Sequence, residues 1–301
     1  MFSSSKPGTN SFVSVAEHKL EPLGRPLFWG RLDGIAIINL DDRPERWQAT
    51  RAELSKFREA PVPLRVSAVR GTTLPGYGMR PWFRGRTSDI RWAARVGCTL
   101  SHRKVMALAQ ELGWKTFLVL EDDACLKSLE GLVLEELDRA LFQVSQSWEV
   151  CYLGFSKTVG PSLKVGQVGC HELREVVGCY TTHAYLVREP ARDWILRQLP
   201  SDTKAWSWHA QHRIIDRWYV RHMSRALRVH ALTPSLITQR AGFSDIVQRQ
   251  VNYSNEFGAA MADGTTSRRA FNLYKRYAHV QFALADIYDG MRGLIKRLNG
   301  F

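Results

Sequence analysis

Short apolar runs alternate with longer segments of helical periodicity along most of the 301-residue chain. Each run is bounded by polar or turn residues, so each predicts a buried strand rather than a helix. The alternation predicts an α/β fold with a mixed, mainly parallel sheet and flanking helices. The predicted strands are residues 34–40, 64–69, 116–120, 149–154, 180–187 and 227–232. The predicted helices are residues 45–58, 102–112, 129–144 and 189–199.

The middle of the chain holds a predicted helix start and a predicted loop. Ser101 is a good N-cap residue and precedes an apolar helical pattern, which predicts a helix that begins at His102. N–H groups at a helix start favour anions, so both residues are candidates for binding phosphate. Residues 70–96 are rich in Gly, Pro, Arg and Trp. They predict a long loop, either a solvated basic loop or a contact for an anionic substrate.

Residues 268–298 have a different pattern, in which large apolar side chains recur at alternating spacings of four and three. This heptad repeat predicts a C-terminal amphipathic helix. The helix could pack on its own domain, join copies into a homo-oligomer or attach to an anionic membrane surface. Gly290 and Gly293 are each expected to weaken it by about 1 kcal/mol relative to Ala. The repeat consists of Leu273, Tyr277, Val280, Leu284, Ile287, Met291, Leu294 and Leu298.

Composition divides the chain into three parts. Residues 1–30 are rich in Ser, Gly and Pro and are predicted to form a mobile lead-in. Residues 31–255 contain the α/β pattern and are predicted to form one domain. Residues 256–301 are predicted to form a C-terminal helical extension.

The charge balance indicates an anionic partner. The formal net charge is +13 and the isoelectric point is about 9.8. A nucleic acid, an anionic membrane or an anionic substrate would each suit this charge. The sequence has no helix-turn-helix, zinc-finger or RRM signature, so no specific nucleic acid is expected.

The cysteine pattern and the lack of long apolar runs indicate the cellular compartment of the protein. Five cysteines with irregular spacing and no CxxC pair argue against a disulfide framework or a zinc ribbon. We find no signal peptide and no run of about 18 apolar residues. These features predict a cytoplasmic protein, with peripheral attachment to the inner membrane as an option.

Three consecutive carboxylates follow one of the predicted strands. Residues 117–120 are apolar, and Glu121, Asp122 and Asp123 come directly after them. The cluster is either a solvated turn or a site for a hard cation, because such ions take carboxylate oxygens as ligands. A cation site at a strand end would suit a diphosphate ligand.

Several motifs occur in an order and at spacings similar to those of a known family. Together they resemble glycosyltransferase family 25, which contains bacterial lipooligosaccharide and lipopolysaccharide glycosyltransferases and the collagen galactosyltransferases. The resemblance covers about residues 34–246. The motifs are residues 38–46 (INLDDRPER), 96–102 (VGCTLSH), 118–123 (LVLEDD), 182–187 (THAYLV), 234–239 (PSLITQ) and 244–246 (SDI).

The resemblance implies a GT-A fold with a Rossmann-like sheet. It also implies an inverting, metal-dependent transfer of a hexose, galactose or glucose, from a UDP-sugar with Mn²⁺ or Mg²⁺. The acceptor would be a glycan or a glycolipid such as lipopolysaccharide. The acidic triplet would act like a DxD motif, with Asp123 on the metal and Glu121 or Asp122 assisting.

The resemblance also suggests roles for other residues. Asp216 is the candidate catalytic base, with Asp202 as a rival, and Asp122 is a second catalytic candidate. His230 is a candidate late ligand of the metal beside Asp123 and Glu121. The candidate nucleotide-binding residues are Asn39, Leu40, Arg43, Arg46, Ser101, His102, Glu121 and Asp245.

Two rival functions remain open at this point. One is a non-catalytic relative that only binds a nucleotide sugar, and the other is a basic nucleic-acid-binding protein. The intact acidic triplet argues against the first, and the lack of a nucleic-acid-binding signature leaves the second without support.

Overall fold

The structure is a computed structural model that describes residues 27–126, 131–144, 147–251 and 266–298. The predicted lead-in lies outside these residues up to position 26, and so do residues 252–255 of the predicted domain and residues 256–265 of the predicted extension. The α-helices are α1 (Leu27–Gly30), α2 (Pro44–Leu54), α3 (Ser88–Glu111), α4 (Gly131–Asp138), α5 (Glu189–Gln198), α6 (Ala205–Gln211), α7 (Ile215–Ala226) and α8 (Arg268–Leu298). The shorter turns of helix are Gly71–Thr73, Arg139–Val144 and Asp202–Lys204.

Eight strands form one mixed sheet, in the spatial order β2-β1-β3-β10-β5-β11-β8-β7. These strands are β1 (Gly34–Asn39), β2 (Leu64–Ser67), β3 (Thr116–Glu121), β5 (Val150–Gly154), β7 (Leu163–Val168), β8 (His171–Glu175), β10 (Ala184–Arg188) and β11 (Val229–Thr233). Strand β1 is parallel to β2 and β3, and β5 is parallel to β11, whereas β10 and β8 run in the opposite direction. The predicted α/β fold with a mixed sheet, flanking helices and a C-terminal helix is therefore confirmed. The expectation of a mainly parallel sheet is wrong, because four of the seven strand pairings are antiparallel.

Six further short strands complete the described secondary structure. They are β4 (Ala124–Cys125), β6 (Lys157–Thr158), β9 (Cys179–Tyr180), β12 (Thr238–Gln239), β13 (Gly242–Ser244) and β14 (Arg249–Val251). Strand β12 pairs with β4, which directly follows the acidic triplet. This pairing brings the segment after β11 to the end of β3.

The sheet is buried on both faces. Side chains alternate between these faces along β3, and this alternation determines the direction of the last side chain of β3. Phe117 and Val119 pack in the layer that contains residues of α3, α5 and α7. Leu118 and Leu120 pack in the opposite layer with residues of α1 and α4. Because side chains alternate along a strand, Glu121 projects on the same side as Val119, towards α3 and α7.

The carboxyl ends of β1 and β3 meet at one edge of the sheet. Ile38 is paired with Glu121 in the register of these parallel strands. The antiparallel strand β10 starts at the same edge, since Ala184 pairs with Leu120. The residues just before β10 therefore lie beside the acidic triplet, at the edge where open α/β sheets bind ligands.

The predicted helix start at Ser101 is wrong, because α3 begins at Ser88. Ser101 lies inside the helix and bonds instead to Gly97 O at 2.7 Å, while its Oγ accepts the N–H of Val69 at 2.8 Å. The last third of the predicted 70–96 loop, residues 88–96, is thus helical. A Cβ on Gly97 would lie 2.2 Å from Val69 O, so this glycine permits the close packing of α3 against the chain after β2.

The C-terminal helix is confirmed, but the heptad repeat is not the face that contacts the body of the protein. Phe271 and Ala278 are buried against Leu163 and Val177, whereas every residue of the repeat is exposed. Among the described helices, none has the length and apolar composition that a bilayer-spanning helix requires.

Candidate active site

A cavity of about 330 Å³ lies at the carboxyl ends of β1 and β3. Its walls come from these strand ends, from α3 and α7, and from residues 239–248, which lie across the ends of the strands. Nine residues suggested by the sequence line it: Leu40, Arg46, Ser101, His102, Glu121, Asp122, Asp123, Asp216 and Asp245. The structure thus gathers residues that are up to about two hundred positions apart.

Asp123 has one carboxylate oxygen that accepts no hydrogen bond from the described residues. Its Oδ2 accepts a hydrogen bond from Nε2 of Gln239 at 3.1 Å, and its carbonyl accepts one from the N–H of Arg240 at 2.7 Å. Its Oδ1 is buried and has no hydrogen-bond partner among the described residues. Burial, and then the charges of Glu121 and Asp122, raise its pKa to about 7. A buried carboxylate with an unsatisfied oxygen is costly unless a cation or a proton compensates it.

Both oxygens of Asp122 are occupied by the protein. Nδ2 of Asn39 donates to Oδ2 at 2.7 Å, and Nη1 of Arg46 lies 3.3 Å from Oδ1. Thr50 also donates its hydroxyl to the Asp122 carbonyl at 2.9 Å. Burial raises the pKa of Asp122, and the contacts with Asn39 and Arg46 oppose that rise. Asp122 is therefore positioned to hold the turn in place rather than to exchange a proton.

Glu121 has partners that favour its ionised form. Thr182 donates its hydroxyl to Oε1 at 2.7 Å, and Nε2 of His102 lies 3.4 Å from the same oxygen. Burial acts to raise the pKa of Glu121, but His102 and then Thr182 outweigh it, so the pKa lies below its ordinary value. The other ring nitrogen of His102 contacts the hydroxyl of Tyr185 at 2.8 Å, which fixes the imidazole between the two groups.

Asp216 lies in the first turn of α7 and lines the same cavity. Its Oδ1 accepts the N–H of Arg217 at 2.6 Å and its Oδ2 accepts that of Thr181 at 3.4 Å. Burial raises the pKa of Asp216 despite these two bonds. A carboxylate with a raised pKa that faces a cavity has the properties of a general base.

Two arginines, Arg95 and Arg217, stand near Asp216, and Arg91 is a neighbour of Arg95. Arg91 and Arg95 are one turn apart on α3, and Arg217 follows Asp216 directly. Partial burial, and then the like charges of Arg91 and Arg217, lower the pKa of Arg95. Within the described residues, none of these guanidinium groups lies within ion-pair distance of a carboxylate. Arg95 and Arg217 therefore place positive charge close to Asp216, although none of the three arginines is part of the cavity wall.

The two arginines after β1 bind the segment that covers the cavity. Nη2 of Arg46 donates to Phe243 O at 2.5 Å, and Nη2 of Arg43 lies 3.4 Å from Oδ1 of Asp245. Asn39 lies behind the cavity rather than on its wall, with its Oδ1 accepting from Nε of Arg65 at 2.7 Å. Arg43 and Asn39 thus support the site from outside, whereas Arg46 reaches it directly.

The structure does not bring His230 to the acidic triplet. His230 is the second residue of β11 and pairs with Cys151 and Glu175 within the sheet. Its neighbours Val229 and Ala231 face the layer that contains α3, so His230 projects to the opposite face of the sheet. Burial lowers its pKa to about 4. Asp202 lies in an exposed helical turn and does not line the cavity either.

Sequence reasoning missed the partners of the acids. Gln239, which bonds to Asp123, and Thr182, which bonds to Glu121, both lie in motifs quoted above, but neither stood out as a site residue. Thr181 has a φ of +66°, and this backbone conformation aims its N–H at Asp216. Only the pairing of β12 with β4 and the start of β10 beside β3 place these residues in the site.

In the described part of the chain, no three His, Cys, Asp or Glu side chains are grouped as a ready-made metal site. Within the acidic triplet, the free oxygen of Asp123 and the nearby Glu121 are the donors available to a cation, because the protein already occupies both oxygens of Asp122. This donor set fits a cation that takes most of its ligands from water and a bound diphosphate.

Comparison with known proteins gives no family assignment. No protein-family model matches the chain, and no curated protein matches it. A crystal structure of mannose-1-phosphate geranyltransferase from Thermus thermophilus is similar over 71% of this chain and 75% of that chain, with 14% sequence identity and a TM-score of 0.32. A likeness this distant supports no inference about function, so the chemistry is argued from the site itself.

Proposed function

We propose that the protein is an inverting, metal-dependent glycosyltransferase of the family 25 type. It would move a hexose, galactose or glucose, from a UDP-sugar to a glycan or glycolipid acceptor. The observation that carries this proposal is the free, buried Oδ1 of Asp123 in a cavity that also contains Asp216.

Asp123 and Glu121 are the residues that would hold the cation. Mg²⁺ and Mn²⁺ commonly bind through one or two carboxylates together with substrate phosphates, so a complete protein cage is not required. The bound cation would neutralise charge on the diphosphate as the sugar leaves. The ionised state of Glu121, favoured by His102 and Thr182, suits this role.

Asp216 is the proposed base that removes the proton of the acceptor hydroxyl. It lines the cavity together with the acidic triplet, and its raised pKa increases its proton affinity at neutral pH. Asp122 is assigned a positioning role, because Asn39 and Arg46 already occupy its carboxylate.

The positive charge near Asp216 supports an acceptor that carries negative charge. Arg95 and Arg217 lie near Asp216, where the acceptor hydroxyl would bind, and Arg91 lies beside Arg95. Arginine pairs with phosphate or carboxylate through two parallel hydrogen bonds. A phosphorylated glycolipid such as a lipopolysaccharide core has this chemistry.

Release of UDP from a panel of UDP-sugars in the presence of Mn²⁺ tests the proposal. We expect slow hydrolysis of the preferred donor that a chelator abolishes. Asp123→Asn should lose metal-dependent UDP binding, measured by calorimetry. Asp216→Asn should keep UDP binding and lose transfer by about a hundredfold or more, as general-base catalysis supplies about that factor.

Asp202→Asn is the matched control, since it removes an exposed carboxylate outside the cavity. It should leave both binding and transfer unchanged. A protein that neither binds UDP with Mn²⁺ nor hydrolyses any donor would contradict the proposal. Binding of UDP without turnover of any donor or acceptor would favour the non-catalytic alternative.

A further inference from the structure

One face of α8 holds this helix to the body of the protein along most of its length. Phe271 and Ala278 are buried near its start. Near its end, Asp289 is only 1% exposed and accepts hydrogen bonds from Arg213 at 3.1 Å and Arg221 at 2.8 Å. Gly293 lies against the backbone of Ala210 in α6, where an added Cβ would be 2.9 Å from the carbonyl oxygen. The orientation of α8 on the body is therefore fixed.

The heptad repeat lies on the other face and is exposed. We call this stripe the apolar seam. Its eight side chains are between 54% and 73% exposed, and Tyr288 and Ile295 beside it are 60% and 55% exposed. The seam consists of Leu273, Tyr277, Val280, Leu284, Ile287, Met291, Leu294 and Leu298.

The seam is large for the surface of a monomer. Ten large side chains that each expose about 80 Å² of apolar surface would together expose about 800 Å². Monomeric soluble proteins rarely show a contiguous apolar patch above about 600 Å². About 800 Å² is also the share that one partner contributes to a standard specific interface.

We propose that the apolar seam is an interface with a second copy of this chain, formed when two α8 helices pair side by side. The spacing of the seam argues for this occupant. A strict seven-residue repeat drifts by about 20° per heptad around a straight helix, so it turns away from a flat surface such as a bilayer. Two helices that coil around each other keep such a seam in contact over its whole length.

The charges around the seam agree with pairing between identical copies. The acids Asp286 and Asp289 face the body, where they pair with arginines. Exposed cations flank the seam near its two ends, at Arg276 and Arg297, and its middle is neutral. Two copies can therefore pair along the middle of the seam without bringing like charges together. A helix that binds an anionic membrane usually has Lys and Arg along its polar edge, and the middle of this seam has none that is fully exposed.

The mass of the full-length chain in solution tests the proposal, measured by light scattering and by sedimentation over a range of concentrations. We expect a dimer of about twice the 34.4 kDa chain mass. The double variant Leu284→Glu/Ile287→Glu places two carboxylates at the centre of the seam and should be a monomer. Both residues are exposed, so the variant should keep the wild-type circular dichroism spectrum.

Val62→Glu/Met79→Glu is the matched control, because these residues are 80% and 64% exposed and lie outside α8. It should remain a dimer. A wild-type chain that stays monomeric at all concentrations would overturn the proposal, as would a seam variant that stays dimeric. In the monomeric case, flotation with anionic vesicles that the seam variant abolishes would identify lipid as the occupant. A seam variant that loses thermal stability as a monomer would show instead that undescribed residues of the same chain cover the seam.

Discussion

Asn39 donates a 2.7 Å hydrogen bond to Oδ2 of Asp122 and thereby joins the ends of two adjacent parallel strands. The same amide group also donates to Arg43 O at 2.9 Å, which shapes the turn before α2. One buried side chain thus fixes both the acidic triplet and the loop that carries the site arginines.

Replacing Asn39 with Ala should destabilise the protein and disturb the site. Asp122 would lose one of its two side-chain partners inside the protein, and a buried hydrogen bond to a charged group is worth about 1.5–3 kcal/mol. We expect a loss of that size in the free energy of unfolding, measured with urea, together with weaker Mn²⁺-dependent UDP binding. Ser67→Ala removes an exposed bond to Asp41 in the neighbouring loop and should cost less than 1 kcal/mol, roughly the value of a surface contact. Equal losses in the two variants would contradict the special role of Asn39.

Stability should fall as the pH drops from about 6.5 towards 4, in part because of His230. Burial holds the pKa of His230 near 4, so below the ordinary value of 6.5 the unfolded chain binds a proton that the folded chain does not. Protonation therefore favours unfolding, by up to roughly 3 kcal/mol for a shift of this size.

His230→Gln should flatten this pH dependence, which denaturant titrations at several pH values would measure. At pH 8 the histidine is neutral in both states, so the difference between the variant and the wild type there reports only the cost of repacking. A variant with the same slope as the wild type between pH 6.5 and 4 would show that His230 is not kept neutral by the fold.

Two glycines of α8 should respond to alanine in opposite ways. A Cβ on Gly290 would meet nothing within 4 Å, so Gly290→Ala should stabilise the protein by about 0.5–1 kcal/mol through the higher helix propensity of Ala. A Cβ on Gly293 would lie 2.9 Å from Ala210 O and 3.0 Å from Cγ of Gln211. Gly293→Ala should therefore displace α8 from α6 and lower the stability. Urea denaturation of the two variants gives this comparison directly, and a stabilising Gly293→Ala would contradict the packing of α8 on α6.

Asp289 should be the most sensitive charged position of α8. It is buried between Arg213 and Arg221, and removing one partner of a buried ion pair typically costs about 3–5 kcal/mol. Both arginines retain some contact with water, so for Asp289→Asn we expect the lower end of this range, about 3 kcal/mol. Asp286→Asn, whose carboxylate is 20% exposed, should cost less. Thermal unfolding of the two variants compares their losses of stability. A larger loss for Asp286→Asn would show that Asp286 contributes more than Asp289 to holding α8 on the body.

The sheet and the acidic triplet could be predicted because their signals are local. Four apolar residues followed by three carboxylates indicate a strand that ends at a polar site, whatever the rest of the chain does. The alternation of such runs with helical segments was enough for the α/β class.

The start of α3 could not be predicted, because it depends on a distant contact. Gly97 lets α3 approach Val69 O closely, and Ser101 is used inside the helix to accept the N–H of Val69. Both features require the chain after β2 to be in place. A residue that is a good N-cap in the sequence can therefore serve tertiary packing instead.

The orientation of α8 on the body could not be predicted from the sequence either. The heptad spacing predicted which residues share a face, but not which face docks. The docked face has fewer apolar residues, and Asp286 and Asp289 pair there with arginines 65–76 positions earlier in the chain. The periodicity of the sequence does not predict ion pairs between residues so far apart in the chain.

The contacts of Arg43 and Arg46 with the segment over the cavity determine when the site can form during folding. Arg43 is 202 residues from Asp245, and Arg46 is 197 residues from Phe243. Contacts of such high sequence separation form only after the intervening chain has been ordered, because the entropy of closing a long loop must first be overcome. A nascent or truncated chain that ends before residue 243 can pair β1 with β3 but cannot enclose the cavity between them. Ligand binding at this site would therefore report that the whole domain, rather than its first half, has folded.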